Sequence, residues 1–180
     1  MNNLQPFEAN RDFYMKNIMN QYGRSLMNFA YTYVKDWSLA EDIIQEVFIS
    51  VYRYSELKQV HSLKSWLYMI TSNKCKDFLR KSYVKNDILA GIRGYFWKDH
   101  HHTPEKILLS TSKNKMISLH ILNLPVKYRE VIILFYYEDL SIKEIGELLQ
   151  QKESTVKSKL LRGREKLKLK LKTEASDWFE

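Results

Sequence analysis

Apolar residues recur every three or four positions along most of the chain, the spacing of helices packed by one face. Between Phe7 and Val34, the residues Phe13, Met19, Tyr22, Leu26, Phe29 and Tyr33 fall on such a stripe and are read as core. Ser38-Leu39-Ala40-Glu41 has the form of a capping box. A second helix is therefore expected from about Leu39 to Tyr54, burying Ala40, Ile43, Ile44, Val47, Phe48 and Val51. A third covers about 62–82, and four or five helices are expected in the first half. From Tyr83 to Ser112 the periodicity is lost among Gly91, Gly94, three histidines and Pro104, which reads as a flexible linker. The pattern predicts an all-α protein of two small helical domains, 1–83 and 113–175, joined by a linker over 84–112.

In the second half, Leu124-Pro125 opens a helix, because a proline in the first turn removes only a donor that has no helical partner. Its core face is Tyr128, Val131, Ile132 and Phe135. A second capping box, Ser141-Ile142-Lys143-Glu144, starts a short helix through Leu149, and a tight break at Gln150 to Glu153 follows. Beyond the break, ESTVKSKLLRGREKLKLKLK ends in Lys-Leu alternation that suggests a strand. At 3.6 residues per turn, however, Val156, Leu160, Gly163, Leu167 and Leu171 form one inward stripe, while Ser154, Lys157, Ser158, Leu161, Arg162 and Glu165 face outward. Short helix, turn and longer basic helix form a helix-turn-helix, whose second helix enters the major groove of DNA.

Charge strengthens that reading. The 180 residues carry a net charge of +8, and 152–172 alone hold nine Lys or Arg against two Glu. Phosphate is the natural partner of such a stripe. A membrane-surface helix would present a broad, bulky apolar face, and this stripe is narrow and includes a glycine. The single cysteine, Cys75, excludes an internal disulfide and fits a reducing compartment. No apolar run reaches spanning length, and Met1 to Glu8 shows no leader, so a soluble, cytoplasmic protein without membrane insertion is expected.

The helix from Leu39 to Tyr54 has a contrasting outer face of Glu41, Asp42, Gln45, Glu46 and Arg53 around Ile49. Carboxylates there would repel phosphate, so the face is read as meeting a protein with basic groups around an apolar spot.

Ala40-Glu41-Asp42-Ile43-Ile44-Gln45-Glu46-Val47-Phe48, Ser65-Trp66-Leu67-Tyr68-Met69-Ile70 with Asn73, Asp77-Phe78-Leu79-Arg80-Lys81, Leu124-Pro125, Tyr128-Arg129-Glu130-Val131, Leu140-Ser141-Ile142-Lys143-Glu144-Ile145 and Thr155-Val156-Lys157-Ser158-Lys159-Leu160 with Arg162-Gly163-Arg164 occur in this order. Together they resemble an extracytoplasmic-function (ECF) sigma factor of bacterial RNA polymerase, from about Tyr22 to Leu171. The resemblance implies a non-enzymatic initiation factor without cofactor or metal, whose two domains resemble sigma regions two and four and which serves a stress or envelope-response regulon. It implies that Asp42, Gln45, Glu46 and Ile49 dock on the clamp helices of the polymerase's largest subunit, with the flap as a further polymerase contact. Leu57, Lys58, His61, Asn73, Lys74 and Lys81 would engage the melted minus-ten element, and Thr155, Lys157, Ser158, Leu161 and Arg162 the minus-thirty-five duplex. Lys159, Arg164 and Lys166 are assigned to phosphate or solvent. The resemblance also implies a cognate anti-sigma factor, often membrane-anchored.

Departures from the family pattern fall on particular contacts. Gln150, Gln151, Lys152 and Ser154 stand where the turn usually has a glycine, an apolar residue, a proline and a glycine, which predicts strain at a left-handed position. Met69 and Ser72 replace arginines, Lys74 replaces an apolar residue, and the 57–61 loop lacks the usual aromatic. His100-His101-His102 reads as a solvated linker run, because adjacent imidazoles point in different directions. A free-standing helix-turn-helix regulator, the competing reading, would need neither the acidic helix nor the Trp66 helix.

Overall fold

The computed structural model describes residues 5–54, 62–88 and 112–176, with side chains placed for most of them. Seven α-helices in these segments form two compact units. The first contains α1 (Gln5–Val34), α2 (Trp37–Arg53) and α3 (Leu63–Ile88), packed pairwise. Three described helices thus stand where four or five were expected, because α1 runs unbroken for 30 residues.

The inner stripe of α1 is Met15, Ile18, Leu26, Phe29, Ala30 and Tyr33. Phe13 and Met19, read as core, are instead 66% and 48% exposed. Phe29 meets Tyr33 and Tyr68 edge to face at 5.3 and 5.1 Å, and the Tyr33 hydroxyl pairs with Ser72 Oγ at 3.1 Å. One of the arginine positions missing from α3 is therefore a buried serine tied to α1.

Asp36, rather than Ser38, caps α2: its Oδ1 accepts from the Leu39 amide at 3.0 Å, and the helix begins at Trp37. Lys35 makes the turn at φ 56°, and Trp37 stacks on Tyr31 at 4.4 Å. Both cap positions carry an acceptable oxygen, and this aromatic pair favours the earlier start. Burial and the Asp36 carboxylate raise the pKa of the Tyr31 phenol. Along α2 the buried residues are Ala40, Ile43, Ile44, Val47 and Val51, with Phe48 only half-buried. The third helix, expected to end near Ser82, continues to Ile88, five residues into the stretch read as linker.

The second unit comprises α4 (Ser112–Leu122), α5 (Val126–Tyr136), α6 (Ile142–Leu149) and α7 (Glu153–Ser176). Pro125 sits at the N-cap of α5, one residue before its first turn. Arg129, itself buried, donates through Nε and Nη2 to the Leu124 carbonyl at 3.2 and 2.6 Å and fastens the start of that helix. Leu124, Val131, Ile132, Leu134, Ile145, Val156 and Leu160 fill the core, while Phe135 is half-buried. The Ser141–Glu144 capping box is formed in both directions.

Between α6 and α7, Gln150 occupies the left-handed region at φ 54°, ψ 48°. The strain expected from the sequence therefore falls on Gln150. A Cβ in this conformation costs roughly 1–2 kcal/mol, against roughly 0.5–1 kcal/mol of extra chain entropy for glycine. Gln150→Gly should accordingly raise the stability of this unit by about 0.5–1 kcal/mol, seen as a higher urea midpoint at unchanged slope. A lower midpoint would mean that the Gln150 side chain itself holds the turn.

Candidate functional site

Two outward faces of opposite character stand out, one on each unit. On α2, Asp42, Gln45, Glu46 and Ile49 are all exposed along the side opposite the buried stripe, as the spacing predicts. Ile49 is not isolated. It opens onto a groove between α1 and α2 floored by Met15, Met19, Phe48 and Tyr52, with Asp12, Lys16 and Arg53 at its rim. The Arg11 guanidinium lies 4.6 Å over the Tyr52 ring and donates to the Tyr52 carbonyl, tying α1 to α2 beside this groove. Sequence reasoning missed this extension because it placed Met19 in the core. The available signal was Met15 and Ile18, which fit the Leu26–Phe29 stripe equally well.

Among the residues expected at the minus-ten element, Asn73 and Lys81 are exposed on α3. Lys74 is half-buried and bonded to Glu46 Oε2 at 2.9 Å, so one residue assigned to DNA is joined to one assigned to the polymerase. Leu57, Lys58 and His61 lie outside the described residues, as does the His100–His102 run. Tyr54 and Trp66, at the facing ends of α2 and α3, bring their rings to 5.0 Å.

The second face is the outer side of α7. Thr155, Lys157, Ser158, Leu161 and Arg162 are all exposed, with Leu161 at 53%, while Val156, Leu160 and Gly163 are buried beneath them. Ser158 Oγ donates to the Ser154 carbonyl at 2.9 Å. The turn before α7 is closed by the Gln151 amide, which donates to the Gly146 carbonyl at 2.8 Å. A Cβ at Gly146 would stand 2.8 Å from the Gln151 carbonyl oxygen, so this glycine inside α6 is what allows the tight approach. Lys159, expected at phosphate or in solvent, has its Nζ 3.5 Å from Oε1 of Glu130, a buried carboxylate on α5.

A further apolar groove of this unit runs between α4, α5 and α7 over Ile117, Ile121, Tyr136 and Leu167. Arg164, Lys168 and Lys172, spaced one helical turn apart, edge it.

Models of known families match both units. Residues 18–83 match Sigma-70 region 2, and 116–167 match Sigma-70, region 4. The ECF RNA polymerase sigma factor SigW of Bacillus subtilis (strain 168) is 34% identical over 163 residues, covering 86% of this chain and 87% of the relative. The chain belongs to the ECF RNA polymerase sigma factors. SigM of the same organism is 27% identical over 151 residues, covering 84% and 91%. The sigma factor RpoE from Bartonella quintana, solved in complex with the anti-sigma factor NepR, superposes with a TM-score of 0.70. It is 23% identical, with 90% of this chain and 98% of that one covered, and so speaks for the fold.

As an ECF sigma factor, the chain binds bacterial core RNA polymerase and directs promoter-specific initiation, and it is not itself an enzyme. Among the described residues, no group of three His, Cys, Asp or Glu side chains is placed to hold a metal ion, and no helix is long and apolar enough to cross a membrane.

Proposed function

We propose that this sigma factor divides its work between the two faces. Asp42, Gln45, Glu46 and Ile49, extended by Met19 and Tyr52 across the α1–α2 groove, dock on a basic and apolar surface of the polymerase clamp. The outer side of α7 reads the minus-thirty-five duplex. Lys157 and Arg162 are placed to reach guanine acceptors, and Leu161 to touch a thymine methyl. Asn73 and Lys81 on α3, with Leu57, Lys58 and His61, handle the opened minus-ten strand. Residues 1–83 and 113–175 act as the two working domains, with the intervening segment as their linker.

The observation that carries the reading is the contrast between the faces: an exposed acidic and apolar helix on one unit, an exposed basic helix after a turn on the other. A phosphate binder would not present the first, and a protein-docking surface has no need of the second.

The basic-edged groove of the second unit is a protein-docking surface, suited to the polymerase flap. An anti-sigma factor that covers these surfaces is the natural antagonist. RpoE from Bartonella quintana is solved with the anti-sigma factor NepR, and CnrH with the cytosolic domain of CnrY. A cytoplasmic site of action follows from a polymerase partner.

The test is a footprint of the reconstituted holoenzyme on its promoter. Arg162→Ala and Lys157→Ala should each weaken protection of the upstream element roughly ten-fold or more, while the protein still co-elutes with core polymerase. Unchanged upstream protection in both variants would remove α7 from base reading.

A further inference from the structure

Lys159 stands between two of the residues that face the duplex, yet its own side chain turns back toward the core. It is 18% exposed, and its ammonium lies 3.5 Å from a carboxylate that is 3% exposed. Its neighbours on α7 point elsewhere: Ser158 and Leu161 outward, Val156 and Leu160 into the core. On α5, Glu130 lies between Tyr128 and Ile132, the two residues that Gly163 of α7 faces. A Cβ on Gly163 would come within 2.7 Å of Ile132 Cδ1, so the two helices pack closely at this point.

The apolar stripe sets how near α7 comes to α5. Apolar burial fixes the rotation of α7 about its own axis less sharply than a specific pair does, because it is non-directional. An ion pair instead ties one particular side chain of α7 to one of α5, so it opposes rotation of α7 about its axis. Lys159–Glu130 is such a constraint, one helical turn from Gly163. Rotation matters here: turning a helix by about 20° moves a side-chain tip by roughly 2 Å, enough to lose hydrogen-bond geometry at a base edge.

We propose that Lys159 is a positioning residue for minus-thirty-five recognition: its ion pair with the buried Glu130 of α5, and not a phosphate contact, sets the rotational register in which α7 presents Lys157, Ser158, Leu161 and Arg162. This rests on the reading that the outer face of α7 contacts the upstream element. It gives a basic residue inside the recognition helix a role that net charge alone would assign to phosphate.

The experiment uses reconstituted holoenzyme and a duplex selected by it from a randomised pool, compared with the same duplex scrambled at the upstream element. Affinity for each is measured across a salt series. Lys159→Met should lower the matched-to-scrambled ratio about ten-fold, leave affinity for the scrambled duplex unchanged, and leave the slope of log affinity against log salt unchanged. Lys159→Arg, which keeps the charge, should restore much of the ratio. The double variant Lys159→Met/Glu130→Met removes the buried carboxylate together with its ammonium partner. It should keep the low ratio at temperatures well below its own melting transition, separating register from stability.

A slope reduced by about 0.9 with equal losses on both duplexes would identify a phosphate contact and overturn the proposal. An unchanged ratio and slope would overturn it too, leaving the apolar stripe as sufficient. Arg162→Ala runs alongside: if it also leaves the ratio intact, the reading of α7 as the base-contacting helix fails, and the positioning role fails with it. A reduced ratio for Arg162→Ala with a normal one for Lys159→Met sinks only the positioning role.

Discussion

A chain carrying Asp42→Lys and Glu46→Lys should bind core polymerase at least about 100-fold more weakly, a loss of about 2.8 kcal/mol, while its helices melt no more than about 8 °C below those of the parent. Both carboxylates are exposed, so their reversal leaves no buried charge behind. The local cost comes from Lys74, whose ammonium is 2.9 Å from Glu46 and would face a second ammonium. Lys74 is 36% exposed and able to swing into solvent, which holds that cost to about 1 kcal/mol or less. At the interface the balance is different. Two attractions become two repulsions against a basic partner, and like charges brought together at an interface cost several kcal/mol. Titration of labelled core polymerase with each chain measures the first quantity, and circular dichroism on heating measures the second. Equal affinities would move the docking surface away from α2. Because these charges face solvent, the parent chain's own affinity should also fall as salt rises.

The three glycines with described surroundings should respond to alanine in three different ways. Gly146→Ala should destabilise the second unit by about 1–3 kcal/mol. Its new methyl group would lie 2.8 Å from the Gln151 carbonyl oxygen, a backbone atom with no rotamer to change. That oxygen belongs to the turn closed by the Gln151 amide on the Gly146 carbonyl, so relief can come only by displacing α7 from α6. The gain of about 1 kcal/mol in helix propensity opposes this without reversing it. At Gly23 an added Cβ would meet Phe48 Cζ at 3.9 Å, an ordinary contact, and alanine should be neutral or stabilising by up to about 1 kcal/mol. Gly163 falls between, because its obstacle at 2.7 Å is the end of the flexible Ile132 side chain. Urea unfolding of the three variants gives the order directly. A Gly146→Ala chain as stable as the parent would show that the α6–α7 turn can be rebuilt without loss.

Periodicity makes the buried faces of α2 and α7 legible, because each has one clean apolar stripe and a strongly polar opposite side. It failed on α1, where Phe13 and Met19 compete with Met15 and Ile18 for the inward stripe. Apolar residues at both phases leave the choice to tertiary packing, and the exposed set became part of a partner groove. The cap of α2 shows the same ambiguity at shorter range: Asp36 and Ser38 are both competent, and the Tyr31–Trp37 stack lies outside the capping motif. The strain in the turn before α7 is legible too, since Gln150 stands in a left-handed position where a glycine is usual. What compensates was not visible, since Gly146 lies within a helix and its partner is a backbone oxygen five residues on. The charge of Lys159 could be read, but the burial of Glu130, which decides where that charge goes, could not.

Cys75 is the chain's one thiol, fully buried in the first unit, and desolvation pushes its pKa up to about 12. A protonated, inaccessible sulfur reacts only when the surrounding bundle opens. The protein thus contains its own stopwatch. The rate at which an alkylating reagent consumes that thiol reports the opening of α1–α3 alone, and a bound polymerase or antagonist that clamps this bundle would slow the hand without touching the sulfur.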